Sequence, residues 1–391
     1  MTITTLFLIM LAALLGPALA GFRRFPIPIV VGEILGGIIL GPAVLNKINP
    51  LDPSVALLGN VGLAMLLFVV GTHLPLRDPN IHKAFRRGAI GTLLAFAAAI
   101  PLALIVEHLT HFGHPQMLVL LFACSSTTVV MPIILERKLS GKTVLFTTTW
   151  VALADAATIV ALPLALNPGH LWQSLVGSVV VAAVACGSFF LLRAFSRSEI
   201  GDGYRRMSKA RDWALDLRMS IVLVLGLSAL AIYFGVSILV AGFAAGAAVM
   251  FLDPPGRYTN QLVGVAEGYV VPPFFVILGA RLNIGTLVGS VQNIELMLLL
   301  VAAAVLTHLV VARLIRLPMA SGLTAAAQMG LPAALVSLGL TNHTMEPGQG
   351  AAIMAAAMIM VISCSIGAAL LARRAAAETA LPGTGTPGAS H

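Results

Sequence analysis

Charged side chains are scarce in this sequence. Aspartate, glutamate, lysine and arginine together make up 10% of the 391 residues, whereas soluble domains carry about 25%. Hydrophobic residues make up 59%, and the mean hydropathy is +0.99. This composition excludes a soluble globular domain, and we expect most of the chain to lie in lipid.

Cysteine is also rare. The three cysteines, Cys124, Cys186 and Cys364, lie inside apolar runs without CxxC spacing, so neither a disulfide framework nor a structural zinc site is indicated. The segment EHLTHFGH, residues 107–114, holds three histidines at intervals of three, a spacing that could ligate a transition metal. It sits in a short loop without a second cluster nearby, which favours a solvated loop over a metal site.

Long apolar runs dominate what is present. A run of about 20 apolar residues is the length of a membrane-spanning helix, and unbroken runs favour helices over barrel strands. The sequence therefore predicts an all-α polytopic membrane protein with about thirteen spans. Their expected ranges are 3–20, 27–44, 55–74, 88–106, 116–135, 143–165, 171–192, 215–234, 236–252, 264–281, 293–314, 319–340 and 350–372.

The positive charges fall in alternate loops between these runs. The net charge of +8 therefore indicates membrane orientation rather than nucleic-acid binding, because lysine and arginine accumulate on the cytoplasmic side. The N-terminus is expected outside and the C-terminus inside. The basic positions are Arg23, Arg24, Arg77, Lys83, Arg86, Arg87, Arg137, Lys138, Lys142, the 193–211 loop, Arg313, Arg316, Arg373 and Arg374.

Two short patterns recur about 210 residues and seven spans apart. LLFVVGTHLPL from Leu66 resembles FFVILGARLNI from Phe274, and the preceding spans carry GxxxG at Gly32 and Gly242. An odd span offset inverts one copy relative to the other, as in many transporters. We expect two inverted six-helix repeats, about 1–166 and 213–373, although glycine and leucine also recur by chance.

These repeats set the expected domain organisation. Residues 1–373 would form one transmembrane domain, in which a connector span at 170–193 and a cytoplasmic loop at 194–212 separate the two halves. Residues 374–391 are expected to form a short disordered cytoplasmic tail.

Two ionisable residues lie deep within predicted spans. Asp155 occupies the middle of TTTWVALADAATIVALPL, and His308 occupies LLLVAAAVLTHLVVARL. Such groups are costly in lipid and indicate ion or proton pathways. A carboxylate there can hold either a proton or a cation, which is the basis of exchange. The alternatives are a structural carboxylate bonded to hydroxyls and a packing histidine.

Two spans contain helix-breaking patterns. ACSSTTVVMPII places the hydroxyls of Ser125, Ser126, Thr127 and Thr128 before Pro132, and the helix is expected to break just before this proline. AAAQMGLPAAL makes the corresponding interruption with Gln328, Gly330 and Pro332. Paired broken helices indicate a transport site whose freed oxygens would ligate a hard cation. Simple proline kinks are the alternative.

Glu33 is a further candidate. It lies early in IPIVVGEILGGIILGP, near the expected membrane boundary. It would either face an aqueous funnel or orient its helix.

The order of these segments resembles the monovalent cation:proton antiporters, in particular the bacterial sodium or potassium to proton exchangers. The resemblance covers residues 1–373, from PIPIVVGEILGGIILGP through LLFVVGTHL, CSSTTVVMP, the Asp155 span, SILVAGFAAG and FFVILGARL to AQMGLP. It implies thirteen spans, a homodimer in the bacterial cytoplasmic membrane, and a core domain of spans 4–6 and 11–13. That core would move like an elevator and carry its ion at Asp155.

The chain departs from the family pattern at two positions. The residue before the essential aspartate is Ala154 rather than a polar partner, and His308 stands nearest to the lysine of electrogenic members. We therefore expect electroneutral exchange of H+ for Na+ or K+ at Asp155, with oxygens from Ser126, Thr127 and Thr128 and support from His308 and Gln328. No cofactor is expected.

Three other functions are compatible with parts of this sequence. An intramembrane hydrolase would need a second deep aspartate or a GxSxG motif, and the sequence has neither, so the chain is not expected to be an enzyme. A sodium-coupled symporter or a channel shares broken helices and inverted repeats. A non-transporting sensor would fit the loss of a polar residue at Ala154.

Overall fold

The apolar runs form helices in the computed structural model, because a spanning backbone must satisfy its hydrogen bonds internally. The structure describes residues 1–21, 29–72, 81–166, 215–233, 238–252, 262–282 and 284–380, with isolated residues between 172 and 213. No strand occurs among these residues. The predicted all-α polytopic fold is confirmed.

The described helices fall on either side of the central segment. Those before it are α1 (Ile3–Ala13), α2 (Leu15–Ala20), α3 (Ile29–Leu40), α4 (Pro53–Thr72), α5 (Ile81–Thr110), α6 (Pro115–Ala123), α7 (Thr127–Glu136) and α8 (Lys142–Leu166). Those after it are α9 (Leu215–Tyr233), α10 (Ile238–Leu252), α11 (Val271–Arg281, after a π turn at Ala266–Val270), α12 (Ile284–Val288), α13 (Val291–Leu314), α14 (Met319–Ala325), α15 (Gly330–Thr341) and α16 (Pro347–Ala380).

Eight helices or helix pairs in the described ranges are long and apolar enough to cross a membrane, and three shorter apolar helices accompany them. Several predicted features lie outside the described residues. They are the segment with Arg23 and Arg24, Arg77, and, apart from isolated positions, the connector span 170–193 and the loop 194–212. Residues 381–391 of the expected tail also lie outside them, whereas α16 continues to Ala380. Helix therefore extends past the expected end of the domain at 373.

Large apolar side chains cover the outer surface of the helices. Leu93, Val222 and Ile362 are each more than half exposed. An apolar surface of this kind faces lipid, since water would disfavour it.

The helices pack in two groups. The core group contains α5 to α8 and α13 to α16, and the scaffold group contains α1 to α4 and α9 to α11. Most helix contacts lie within one group, whereas few join the two, among them α8 with α10 and α15 with α11. The core group corresponds to the spans that the resemblance assigns to the moving domain.

Glycines bring helices of the two halves into backbone contact in the scaffold group. A Cβ on Gly37 of α3 would overlap the Val276 carbonyl of α11, and one on Gly246 of α10 would overlap the Phe68 carbonyl of α4. Gly32 instead faces α2, and Gly36 faces α1. Each half thus packs a glycine-rich helix on a helix of the other half, which is consistent with two related halves. The inverted repeat itself stays a prediction.

Arg87 of α5 closes the carbonyl end of α13. Its guanidinium donates from Nε to the Ile315 carbonyl at 2.8 Å and from Nη2 to the Arg316 carbonyl at 2.9 Å, while it lies 4.8 Å from the ring centre of Phe146. The carbonyls at the end of a helix lack intrahelical hydrogen-bond donors, and the guanidinium of Arg87 supplies these donors. Three helices of the core group meet at this side chain.

Replacing Arg87 is expected to destabilise the core group. Arg87→Lys and Arg87→Gln should both lower the free energy of unfolding by about 1.5–3 kcal/mol, because lysine keeps the charge but not the fork. Thermal unfolding in detergent measures this change. The neighbouring Arg86 is exposed, so Arg86→Gln is the matched control, and equal unfolding temperatures for the two glutamine variants would contradict the capping role.

Candidate functional site

Asp155 lies at the amino end of a half-helix. It projects from α8, is 2% exposed, and its Oδ2 accepts a hydrogen bond from the backbone N–H of Thr127 at 2.8 Å. Thr127 is the first residue of α7, and the Thr127 side chain interacts with the same carboxylate. The amino end of a helix carries partial positive charge and free N–H groups, so it stabilises a carboxylate.

The first helix break lies at residues 124–126. The helix α6 ends at Ala123, the backbone of Cys124 is extended, and α7 begins at Thr127. The expectation of a break just before Pro132 therefore needs correction, because Pro132 lies inside α7. The interruption includes the first two hydroxyl residues of the run, Ser125 and Ser126, whose side chains offer alternatives to helical hydrogen bonds.

The hydroxyls of Ser126 and Thr128 flank the residue that binds Asp155. Their oxygens lie 3.0 Å apart, and Ser126 is buried while Thr128 is half-buried. The structure therefore groups the predicted oxygens of Ser126, Thr127 and Thr128 at the start of α7.

The second break lies at residues 326–329. The helix α14 ends at Ala325, and α15 begins at Gly330. Pro332 is the third residue of α15, where its missing N–H removes no intrahelical bond. Gln328 thus lies in the break itself, with Gly330 and Pro332 at the start of the following helix.

The Gln328 side chain contacts α16. It is fully buried, and its Nε2 lies 3.1 Å from the sulfur of Met360. Its Oε1 has no hydrogen-bond partner among the described residues. It lines a small cavity with Leu121, Phe122 and other apolar residues.

His308 contacts the first break rather than Asp155. Its Nδ1 lies 2.8 Å from the Ala304 carbonyl on its own helix, and its Nε2 lies 3.2 Å from the Ser125 hydroxyl. The ring of Trp150 lies 5.5 Å from the imidazole, centroid to centroid. The same Ser125 hydroxyl donates to the carbonyl of Ala325, the last residue of α14, at 2.6 Å.

Ser125 was missing from the set of site residues predicted from the sequence, which began at Ser126. The only signal was its place at the head of the hydroxyl run. Its two partners lie 183 and 200 residues away, beyond what a local pattern can indicate.

Glu33 lies elsewhere. It is 4% exposed on α3 in the scaffold group, where a Cβ on Gly16 would come within 2.9 Å of its Cγ. The structure does not bring Glu33 together with Asp155.

This arrangement has the chemistry of a cation or proton site. One buried carboxylate lies beside hydroxyl oxygens and an interrupted backbone, and oxygen ligands suit hard monovalent and divalent cations. In the described part of the chain, no lysine or arginine forms an ion pair with Asp155. No group of three histidine, cysteine, aspartate or glutamate side chains suited to a metal ion occurs among those residues.

The chain is similar in sequence to a known protein family and to named members of it. The family described as sodium/hydrogen exchanger, transmembrane, matches residues 10–375. The chain is 24% identical to a putative Na(+)/H(+) antiporter, YjbQ, of Bacillus subtilis over 387 residues, covering 92% of this chain and 62% of that protein. It is 23% identical to a Na(+)/H(+) antiporter of Enterococcus hirae, covering 78% of each.

A solved structure shares the fold. The sodium proton antiporter MjNhaP1 from Methanocaldococcus jannaschii superposes with a TM-score of 0.64 at 17% identity, over 95% of this chain and 98% of that one. The chain spans less than two thirds of the Bacillus subtilis relative.

Proposed function

We propose, since this chain belongs to the transmembrane sodium/hydrogen exchanger family, that it is a secondary antiporter exchanging Na+ or K+ for protons. The family is one of transporters rather than enzymes, and the relatives named above are antiporters. The observation that carries the proposal is the buried carboxylate of Asp155 at the amino end of α7, beside a helix break.

The exchange rests on competition at one carboxylate. A proton neutralises Asp155 by forming an O–H bond, whereas Na+ or K+ balances its charge with oxygens around it. The hydroxyls of Ser126 and Thr128 flank Thr127, whose backbone N–H binds the carboxylate. One carboxylate holds one proton or one monovalent cation, so one-for-one electroneutral exchange follows.

Alternating access requires the site to meet each side of the membrane in turn. Asp155 belongs to the core group, and few contacts join this group to the scaffold group. We propose that the core group moves as a unit against the scaffold group, like an elevator. The scaffold group would form a homodimer in the bacterial cytoplasmic membrane, with the N-terminus outside and the C-terminus inside.

His308 would support the site indirectly. It contacts the first break through Ser125, so its effect on the empty, negatively charged site would pass through the backbone that holds Asp155. Gln328 would contribute backbone oxygens of the second break rather than its side chain, which faces Met360.

Exchange in proteoliposomes tests the proposal. Liposomes with an imposed pH gradient should lose it when Na+ or K+ is added, and Na+, K+ and Li+ compared side by side identify the ion. Electroneutral exchange on Na+ addition should proceed at the same rate with and without a membrane potential set by a gradient of a permeant anion. A rate that depends on this potential would contradict one-for-one exchange, and transport without proton movement would favour a symporter or a channel.

A further inference from the structure

The side chain of Ser125, in the first break, makes polar contacts with two other helices. Its hydroxyl donates to the Ala325 carbonyl at the end of α14 and lies 3.2 Å from Nε2 of His308 on α13. Ser125, His308 and Ala325 are all fully buried. Water therefore cannot replace these contacts, and their loss would leave buried polar atoms unpaired.

The available hydrogens determine which group donates and which accepts in this contact. The Ala304 carbonyl can only accept, so the Nδ1 of His308 carries a hydrogen and donates it there. In the neutral ring, Nε2 is then an acceptor, and so is the Ala325 carbonyl. The single hydroxyl hydrogen of Ser125 is donated to the nearer acceptor, the Ala325 carbonyl at 2.6 Å, and Nε2 of His308 lies 3.2 Å from the same hydroxyl as a weaker second acceptor on another helix.

The position of Ser125 in the chain links these contacts to the cation site. Two residues further on, the Thr127 N–H holds Asp155 at 2.8 Å, and α7 begins. The intervening Ser126 is not helical itself, and its backbone hydrogen bond runs forward into α7, where its carbonyl accepts from the Val130 N–H at 3.0 Å. The Ser125 contacts therefore hold one end of the short segment whose other end binds the carboxylate.

We propose that Ser125 is a positioning residue of the cation site, an inference that rests on the proposed antiport. Its hydroxyl ties the first break to the carbonyl end of α14 and to His308, and so fixes the Ser126 to Thr128 oxygens relative to Asp155. Ser125 does not bind the cation itself. Its loss loosens the site and weakens cation binding more than it slows turnover.

Initial rates of exchange in proteoliposomes at several Na+ concentrations and one pH test this role. Ser125→Ala should raise the KM for Na+ about tenfold, as expected when about 1.4 kcal/mol of positioning is lost, with a much smaller change in maximal rate. Ser125→Thr keeps the hydroxyl and should restore the KM to within about threefold of the wild-type value. Ser125→Cys keeps the size of the side chain but bonds weakly, so it replaces Ser125→Ala if that variant does not fold.

Ser321 supplies the matched control. It is a fully buried serine of α14, four residues before Ala325. The hydrogen bond that it accepts from Thr147 at 2.8 Å joins α8 to α14 and involves no residue of either break. Ser321→Ala should lower stability without changing the KM for Na+. An equal KM increase in Ser321→Ala would show general loosening of the core and would overturn the role of Ser125.

A double-mutant cycle tests the contact with His308. If the two side chains act through one contact, His308→Gln should raise the KM less in the Ser125→Ala background than in the wild type. Wild-type exchange with an unchanged KM in Ser125→Ala would overturn the positioning role alone. Absence of exchange by the wild-type protein would overturn the proposed function and this inference with it.

Discussion

Asp155→Asn should reduce cation-dependent proton movement to the rate of protein-free liposomes. Asparagine has nearly the shape of aspartate, and its side-chain oxygen can still accept the Thr127 N–H that Asp155 accepts at 2.8 Å. It can neither take up a proton at this position nor balance the charge of a bound cation. The variant should therefore fold and yet not transport, which initial rates and thermal unfolding together would establish.

Asp52→Asn is the matched control for this substitution. Asp52 lies outside the spans and caps α4, where its Oδ1 accepts from the backbone N–H groups of Ser54 at 2.8 Å and Val55 at 3.2 Å. The Val55 hydrogen bond is the main cause that holds the pKa of Asp52 below its ordinary value. Its capping contribution is thus complete at neutral pH and is lost only as the pH falls through this lowered pKa.

The two asparagine substitutions should therefore have different effects on the rate of exchange. Asp52→Asn should leave exchange at neutral pH within about twofold of the wild-type rate, because an asparagine also caps a helix. Exchange by Asp155→Asn at a rate comparable to that of Asp52→Asn would refute the assignment of Asp155 as the carrier of the ion.

The features that were predictable from the sequence depend on local chemistry. Apolar length determines where a helix can span lipid, and a single carboxylate within such a run is conspicuous at Asp155. The second break was indicated by Gly330 and Pro332 after Gln328, since a glycine and a proline close together disfavour a continuous helix. These signals need no knowledge of what each residue contacts.

The remaining features depend on pairing between distant segments. The first break was expected just before Pro132 because proline is the strongest local signal, yet it lies at residues 124–126. There the Ser125 hydroxyl has acceptors on α13 and α14. No local pattern specifies which helix ends will meet, so neither this position nor the contact of His308 with Ser125 could be derived.

The glycines show the same division between local and distant information. The repeated GxxxG patterns indicated two related halves, but not which helices would pack together. In the structure, Gly246 of α10 faces the Phe68 carbonyl of α4, and Gly71 of α4 faces the Phe243 carbonyl of α10. Gly242 faces the Ala64 carbonyl one turn away. Three glycines thus make this a contact of backbone on backbone, which van der Waals packing stabilises in lipid.

Gly246→Val should prevent this packing. A Cβ at position 246 would overlap the Phe68 carbonyl, which is backbone and cannot rotate away. The helices would have to separate, and the Gly71 and Gly242 contacts would be lost with the first one. We expect a loss of about 3 kcal/mol or more in stability, seen as a low yield of monodisperse protein in detergent and a lower unfolding temperature.

Gly226→Val makes the same substitution where the structure leaves room. Gly226 lies on α9, and a Cβ there meets nothing within 4 Å. The exchange of glycine for valine should be neutral or slightly stabilising at this site, since valine costs a helix less than glycine does. If both variants gave the same yield and unfolding temperature, the contact of α10 with α4 would not be the close packing that the scaffold group depends on.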